Sequence, residues 1–218
     1  VTHLCGAPII MSTLLNAAPE HKRDLDREVE FFTAAAPPPE SVLAAMKTAG
    51  FNVTHLYGLT EVYGPAVVND WKVEWNDLPL AEQAQKKARQ GVRYVALEGL
   101  TALDPETLEP VPADGETLGE VMFRGNVVMK GYLKNPEATE KAFKGGWFHS
   151  GDLAYQDEQG YLYIVDRIKD VVNTGGVLVA SRDVEEALYG HESVAEVAVI
   201  GVPHEKWIES IVAVVVVK

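Results

Sequence analysis

The sequence predicts a mixed fold, in which an α/β portion is followed by a β-rich portion and a small α+β tail. Up to Gly91, short β-branched runs alternate with segments whose apolar residues recur at helical spacing. After Gly91, short β runs separated by turn clusters replace this alternation. Polar residues and two glycines over Asp166–Gly176 then precede one helical and two strand-like segments. These changes of pattern divide the chain into residues 1–91, 92–167 and 168–218.

The α/β portion is built around one predicted βαβ unit. Val29–Phe32 reads as a strand, Pro39–Gly50 as a helix that glycine ends, and Val53–Leu56 as the next strand. Short connections in the order strand, helix, strand favour a parallel sheet. Leu80–Gln90 is predicted to be a surface helix that ends at Gly91.

The β-rich portion is predicted to form a small β-barrel or sandwich. Its strand candidates are Val92–Leu97, Glu120–Met129 and Tyr161–Val165. One short helix is expected at Pro136–Lys144, because Asn135 is a good N-cap and proline suits the first helical position.

The tail is predicted to be α+β. Ser181 is expected to cap a helix that runs through Tyr189, and the strands Val194–Gly201 and Ile211–Val217 follow. Lys218 comes directly after a strand, so we expect the small domain to be truncated there.

Composition indicates an ordered globular protein and limits its partners. Hydrophobic residues make up 47% and charged residues 23% of the 218 residues. The net charge of −13 and the lack of a Lys/Arg cluster exclude nucleic acid as a probable class of partner and disfavour anionic membranes. The longest apolar run, Ile211–Val217, is too short for a transmembrane segment. A single cysteine and no recognisable signal peptide predict a cytoplasmic location, and a homo-oligomer stays open.

Three polar segments could carry chemistry. Tyr57–Glu61 follows a predicted strand and offers an aromatic face, a backbone open at Gly58, the Thr60 hydroxyl, and the Glu61 carboxylate for Mg²⁺. The alternative is a capped turn beside an aromatic core residue. Phe148–Asp152 could present a carboxylate to the two hydroxyls of a ribose, or could be an ordinary Gly-Asp turn. Asp166–Asp170 could be a hinge whose arginine donates to a sugar or phosphate, or a solvated linker.

The order of the motifs resembles the acyl-CoA synthetase branch of the adenylate-forming, AMP-binding enzyme superfamily, over nearly the whole chain. The motifs are Tyr-Gly-x-Thr-Glu at 57–61, Gly-Glu-Val-x-x-Arg-Gly-x-x-Val-Met-x-Gly-Tyr at 119–132, Asn-Pro-Glu-Ala-Thr at 135–139, Trp-Phe-His-Ser-Gly-Asp-Leu at 147–153 and Gly-Tyr-Leu-Tyr-Ile-Val-Asp-Arg-Ile-Lys-Asp at 160–170. They are specific in combination.

The resemblance implies a role for each matching residue. Thr60 and Glu61 match the residues that hold the AMP phosphate and Mg²⁺, and Tyr57 with Gly58 matches the aromatic segment that stacks on adenine. The other implied assignments are Ala35, Ala36 and Pro37 behind the adenine, Asp152 and Arg167 on the ribose, Lys169 as the hinge, and Gly175 and Gly176 in the loop that enters the site for thioester formation.

The resemblance also implies a domain organisation and a reaction. Residues 1–167 would be the C-terminal part of a large AMP-binding domain, with a distorted β-barrel over 92–167. Residues 168–218 would start a small mobile domain. The parent enzyme would use ATP and Mg²⁺ to adenylate a small-molecule carboxylic acid, expected to be a fatty acid, and pass the acyl group to CoA. An adenylation domain that loads a carrier protein and a non-catalytic AMP-binding fragment are the alternatives.

The chain departs from the family pattern at several places. The glycine often seen in the segment that matches Ala35, Ala36 and Pro37 is absent, and Val177-Leu178 stands where many members have Glu-Asn. The Gly-rich phosphate loop that ends in Lys-Gly has no counterpart, and Lys218 lacks the Gly-Lys context of the catalytic lysine. We therefore expect the 218-residue chain to be inactive by itself.

Overall fold

The computed structural model describes residues 1–35 and 37–218. The strands are β1 His3–Cys5, β2 Val29–Thr33, β3 Phe51–Leu59, β4 Gly64–Val68, β5 Val92–Arg93, β6 Gly99–Leu103, β7 Gly119–Arg124, β8 Phe148–Gln156, β9 Leu162–Arg167, β10 Val172–Thr174, β11 Val177–Val179, β12 Val194–His204 and β13 Ile208–Val217. The α-helices are α1 Pro8–Leu15, α2 Glu40–Thr48, α3 Leu80–Ala88, α4 Pro136–Ala142 and α5 Ser181–Tyr189. Among the described residues, no helix is long and apolar enough to cross a membrane.

The first sheet has the order β1-β2-β3-β4-β5. β1, β2 and β3 run parallel, which confirms the predicted βαβ unit around α2, whereas β4 and β5 pair antiparallel. A core of Met11, Phe31, Leu43, Met46 and Val53 fixes the helices to this sheet. These side chains lie on the apolar stripes of the helices and on alternate positions of the strands, as burial on one face requires.

The second sheet is antiparallel, in the order β6-β7-β8-β9. This confirms the β-rich portion, but within residues 1–35 and 37–218 the sheet is open and no closed barrel forms. Its apolar face shares one core with the first sheet, built from side chains such as Val67, Leu97, Phe123, Phe148 and Leu162.

The third sheet, in the order β11-β10-β13-β12, makes up the tail with α5. All its neighbouring strands are antiparallel. Many apolar side chains on β12 and β13 are solvent-exposed; among them are Ile200, Val214, Val216 and Val217.

The edge of β9 that faces away from β8 is hydrogen-bonded to the other two parts of the chain. Leu162 exchanges backbone hydrogen bonds with Gln90 and Gly91, at 3.0 and 2.8 Å. The Ile164 N–H donates to Gln90 Oε1 at 2.6 Å, and the Ile164 carbonyl accepts from Arg182 Nη1 at 2.6 Å. Gly91 has a φ of +116°, and a Cβ there would lie 2.0 Å from the Val68 carbonyl oxygen, so only glycine fits. The backbone N–H and carbonyl groups of Leu162 and Ile164 thereby all find partners.

Several predicted boundaries shift because tertiary pairing overrides local pattern. β3 continues through Leu59 rather than ending at Leu56, since β4 pairs with it as far as Gly64. Ser181 does not cap α5 with its hydroxyl, which instead donates to Asp166 Oδ2 at 2.7 Å. The Ser181 N–H donates to the same oxygen at 2.7 Å, so the cap comes from β9, 15 residues upstream.

Candidate functional site

Two adjoining cavities of about 480 and 220 Å³ open at the carboxyl end of β3. Both are lined by the loop after β2 and by the end of β3, which makes them one cleft. The larger cavity extends toward Thr60 and β4, and the smaller extends toward β8, β9 and α5. A site outside the carboxyl ends of parallel strands is the usual ligand position in open α/β sheets.

The cleft brings together residues that the sequence predicted as one site from widely separated segments. Ala36 lies outside the described residues. The predicted residues that line the cleft are Ala35, Pro37, Tyr57, Gly58, Thr60, Asp152 and Arg167.

Asp152 is the centre of the polar contacts in the cleft. Its Oδ2 accepts a hydrogen bond from the Tyr57 hydroxyl at 2.6 Å, and its Oδ1 lies 3.2 Å from Arg167 Nε. Burial raises the pKa of Asp152, while the Tyr57 hydrogen bond and the Arg167 charge act in the opposite direction. Burial and the neighbouring Asp152 carboxylate raise the pKa of Tyr57 well above its usual value, so Tyr57 is a hydrogen-bond donor at neutral pH.

Tyr57 is held on its other side by the core. Its ring lies 6.0 Å from the ring of Phe123, centroid to centroid, with the planes tilted by 32°. One part of the ring therefore packs inward, while Tyr57 also lines both cavities. A fixed aromatic wall costs a ligand little entropy on binding.

Gly58 is required by the neighbouring strand. A Cβ at Gly58 would lie 1.9 Å from the Gly64 carbonyl oxygen in β4. The absence of a side chain at Gly58 therefore lets the β4 backbone approach β3 closely. This close pairing lets β3 continue past Tyr57.

Ala35 adopts a left-handed conformation, with a φ of +82°. This region favours glycine, and alanine there costs on the order of 1–2 kcal/mol. This strained residue lies at the wall of the cleft, as is common at ligand sites.

Thr60 and Glu61 form a short 3-10 turn directly after β3. Thr60 is exposed and lines the larger cavity. Glu61 is anchored by the segment around β7 and α4: its carbonyl accepts from the Met129 N–H at 2.7 Å, and its Oε1 accepts from the Tyr132 hydroxyl at 3.1 Å. Its other carboxylate oxygen accepts no hydrogen bond from the described residues.

The remaining predicted residues lie outside the cleft lining. Lys169 is in an exposed turn after β9, with its Nζ 3.7 Å from Asp170 Oδ1. Gly175 and Gly176 form the turn between β10 and β11, with φ of +64° and +90°. The Gly175 N–H donates to the Trp207 carbonyl at 2.7 Å, so this turn is bound to the tail's own sheet.

The cleft also contains residues that the sequence analysis missed. His55, Gln90 and Arg182 line the smaller cavity. Burial lowers the pKa of His55 to about 4, so this imidazole is neutral at pH 7. None of the three belongs to a recognisable motif, and each reaches the cleft only through the packing of β3, the Gly91 turn or α5. No local sequence signal could have found them.

The comparisons with known proteins assign the class. Residues 1–133 match the AMP-binding enzyme family, and residues 183–218 match the AMP-binding enzyme C-terminal domain. Because the first match covers more than half of the chain, the chain belongs to the AMP-binding enzyme family. This confirms the resemblance inferred from the motifs.

The relatives with similar sequences are named as CoA ligases or as probable acyl-activating enzymes. Acetate–CoA ligase CCL3 of Humulus lupulus is 53% identical over an alignment of 219 positions, which covers 100% of this chain and 39% of that protein. The peroxisomal acetate/butyrate–CoA ligase AAE7 of Arabidopsis thaliana is 50% identical over an alignment of the same length, which covers 100% of this chain and 38% of that protein. The chain therefore spans less than half the length of these relatives.

Solved structures share the fold over the whole chain. ATP-bound MatB from Rhodopseudomonas palustris superposes with a TM-score of 0.85 at 30% identity, covering 100% of this chain and 41% of that one. The o-succinylbenzoate CoA synthetase of Bacillus subtilis, in complex with its acyl-adenylate intermediate, gives 0.81 at 28% identity, covering 100% and 42%. The predicted fold class is confirmed.

The Tyr57–Asp152 hydrogen bond should be measurable as a coupling energy. A hydrogen bond to an ionised group contributes about 1.5–3 kcal/mol. We expect a double-mutant cycle of Tyr57→Phe and Asp152→Ala to give a coupling of that size in urea unfolding. Tyr155→Phe is the matched control, since its hydroxyl has no recorded partner among the described residues, and should cost less than about 0.5 kcal/mol. Additive costs at Tyr57 and Asp152 would contradict the contact.

Proposed function

We propose that these 218 residues are part of an AMP-forming acid–CoA ligase. The observation that carries the proposal is the convergence of Tyr57, Asp152 and Arg167 with Ala35 and Pro37 on one cleft. The named functions of the relatives, and the ATP and acyl-adenylate bound to the solved neighbours, support it.

The cleft suits a nucleotide in one orientation. The adenine would lie between the loop at Ala35 and the Tyr57 ring, and the ribose would face Asp152 and Arg167. An ionised carboxylate has about four acceptor positions. The Tyr57 and Arg167 contacts leave acceptor capacity on Asp152 for ribose hydroxyls. Arg167 is half-exposed, so its remaining donors can reach a sugar or phosphate oxygen.

The reaction has two displacement steps. An oxygen of the substrate carboxylate forms a bond to the α-phosphorus of ATP, and the bond to pyrophosphate breaks. The CoA thiolate then attacks the acyl carbon, and AMP leaves with the electron pair of the broken acyl–oxygen bond. Adenylation supplies a good leaving group, which a free carboxylate lacks. Thr60, exposed at the mouth of the larger cavity, is placed to donate to a phosphate oxygen.

Glu61 fits the implied Mg²⁺. Its carboxylate is oriented by Tyr132 through one oxygen at an exposed contact, and it makes no ion pair with the described residues. Mg²⁺ is commonly held by one or two carboxylates together with substrate phosphates and water. When bound, Mg²⁺ would neutralise charge on the phosphates. Glu61 is the proposed protein ligand.

The proposed acid is a short-chain carboxylic acid. The relatives that are 53% and 50% identical are named for acetate and butyrate, which supports this choice. A relative that is 42% identical is named for the aromatic acid cinnamate, so the names do not restrict the substrate to fatty acids. A cytoplasmic location also stays a proposal, and some relatives are named as peroxisomal.

We also propose that residues 1–167 and 168–218 belong to two domains that move about Lys169. The motion would bring the turn at Gly175 and Gly176 toward the cleft for transfer to CoA. Lys169 suits a pivot because its side chain is mostly exposed and its N–H donates to none of the described residues.

The proposed function is tested by assaying acids with ATP and CoA. In the full-length protein that carries this chain, we expect AMP and acyl-CoA to form from acetate or butyrate with free CoA. The 218 residues alone should release no AMP, since the phosphate loop and the Gly-Lys segment are not among them. Transfer to a phosphopantetheinylated carrier but not to CoA would favour a carrier-loading enzyme, and no acid-dependent AMP from any acid would overturn the proposal.

The role of Glu61 predicts a loss of adenylation. Glu61→Gln keeps the shape of the side chain but removes the charge that would hold Mg²⁺. In the full-length protein, acid-dependent pyrophosphate exchange should fall by about 100-fold or more, roughly 3 kcal/mol of lost transition-state stabilisation. Glu106→Gln, on an exposed turn, is the control and should leave the rate unchanged. An unchanged rate in Glu61→Gln would show that Glu61 is not the ligand.

The proposed hinge predicts that the two half-reactions can be separated. Proline fixes φ near −65°, whereas a hinge must change φ and ψ. We expect full-length Lys169→Pro to stay in the adenylating arrangement, so that pyrophosphate exchange persists while transfer from preformed acyl-AMP to CoA falls at least about tenfold.

Lys169→Ala is the control for this hinge variant. It removes the side chain but leaves the backbone free, and should retain both half-reactions. Thermal melting shows whether each variant is folded. Equal losses in both half-reactions of a well-folded Lys169→Pro would contradict the hinge assignment.

A further inference from the structure

A buried carboxylate lies directly behind Asp152 and is not used by the proposed reaction. Glu120, on β7, is only 4% exposed. Its Oε1 accepts from the Gly151 N–H at 2.8 Å, and its Oε2 lies 2.8 Å from His149 Nδ1. Both partners are on β8, immediately before Asp152.

The pairing of β7 with β8 explains why a side chain is needed here. Glu120 pairs with Leu153 and Met122 pairs with His149, so two steps along β7 face four steps along β8. β8 therefore carries two extra residues and bulges at Ser150–Asp152. A bulge interrupts the ladder and re-aims a side chain. The Glu120 carboxylate supplies the acceptor that the interrupted ladder cannot offer to Gly151.

His149 completes the contact. Its Nε2 lies 3.0 Å from the Lys144 carbonyl oxygen, which only accepts hydrogen bonds, so Nε2 carries a proton. Nδ1 and Glu120 Oε2 are 2.8 Å apart, which is hydrogen-bond distance. Glu120 therefore contacts β8 through both carboxylate oxygens, one at Gly151 and one at His149.

The Gly151 peptide groups are held on both sides. Glu120 accepts from the Gly151 N–H, and the Gly151 carbonyl accepts from the Ile168 N–H at 2.9 Å. Gly151 has a φ of +75°, which glycine adopts without strain. The Asp152 N–H donates to Ser150 Oγ at 3.0 Å. The direction of the Asp152 side chain therefore depends on a turn whose main anchor is Glu120.

We propose that Glu120, together with His149, is a positioning residue that holds the β8 bulge and so aims Asp152 at the nucleotide ribose. This inference rests on the proposed function. Removing one partner of such a buried contact leaves the other unpaired and destabilises the fold. The positioning role is therefore tested by a ratio of nucleotides, which a loss of folded protein does not change.

The test compares ATP with 2′-deoxy-ATP and 3′-deoxy-ATP in pyrophosphate exchange by the full-length protein. Wild-type kcat/KM should favour ATP over at least one analogue by about 10- to 100-fold, because a hydroxyl bound to a carboxylate is lost. Glu120→Ala should reduce this ratio at least about fivefold, toward the ratio of Asp152→Ala, and raise the KM for ATP. A loss of folded protein lowers the rate with every nucleotide equally and leaves the ratio unchanged.

Glu120→Gln is the conservative rescue. Its carbonyl oxygen can accept from Gly151, and its amide can donate to neutral His149, so both hydrogen bonds survive without the charge. We expect its nucleotide ratio to stay within about twofold of wild type. If Glu120→Ala does not fold, His149→Ala replaces it, and a ratio reduced at least about threefold is the expected result.

Each contrary result identifies what has failed. An unchanged ratio in a folded Glu120→Ala, or in His149→Ala when that variant replaces it, overturns the positioning role. A ratio in Glu120→Gln as low as in Glu120→Ala overturns the hydrogen-bond account. Equal use of ATP and both analogues by the wild type overturns the ribose assignment itself, while the absence of acid-dependent exchange overturns the proposed function.

Discussion

The rest of the structure depends on how the edge of β9 that faces away from β8 is paired. Buried backbone groups at a sheet edge must find partners, and here the partners come from both flanking parts of the chain. Gln90 and Gly91 of the first sheet satisfy Leu162 and Ile164, and Arg182 of α5 satisfies the Ile164 carbonyl. The strand ends at Arg167, which reaches Asp152. One edge therefore aligns the first sheet, the second sheet and the tail around the cleft.

The buried carboxylates around the cleft are paired, although the chain as a whole is acidic. The net charge is −13, yet the buried Asp152 is matched by a hydroxyl and a guanidinium, and the buried Glu120 by the Gly151 N–H and the His149 ring. Asp152 and Glu120 thus each accept at least one hydrogen bond. The net charge of the chain therefore does not determine the electrostatic field in the cleft, which is set by these short-range pairs.

The site was predictable to the extent that its residues belong to motifs. Tyr57 and Asp152 are 95 residues apart, and motif order alone placed them in one site, where the structure joins them by a hydrogen bond. Lys169 and the Gly175–Gly176 turn were predicted in the same way, and the structure places them outside the cleft lining. Gln90 and Arg182 could not be predicted, because their contribution is to complete the edge of a strand that lies far from them in sequence.

The sequence by itself determined the type of most elements, the parallel βαβ unit and the family, because these follow from apolar periodicity, capping residues and motif order. Only the tertiary structure decided that β3 runs on past Gly58, that the second sheet stays open and that Asp166 caps α5. The same holds for the Glu120 contact that supports the β8 bulge. Local patterns specify which residues are buried, whereas the partner of each buried polar group is set by chain segments that meet only after folding.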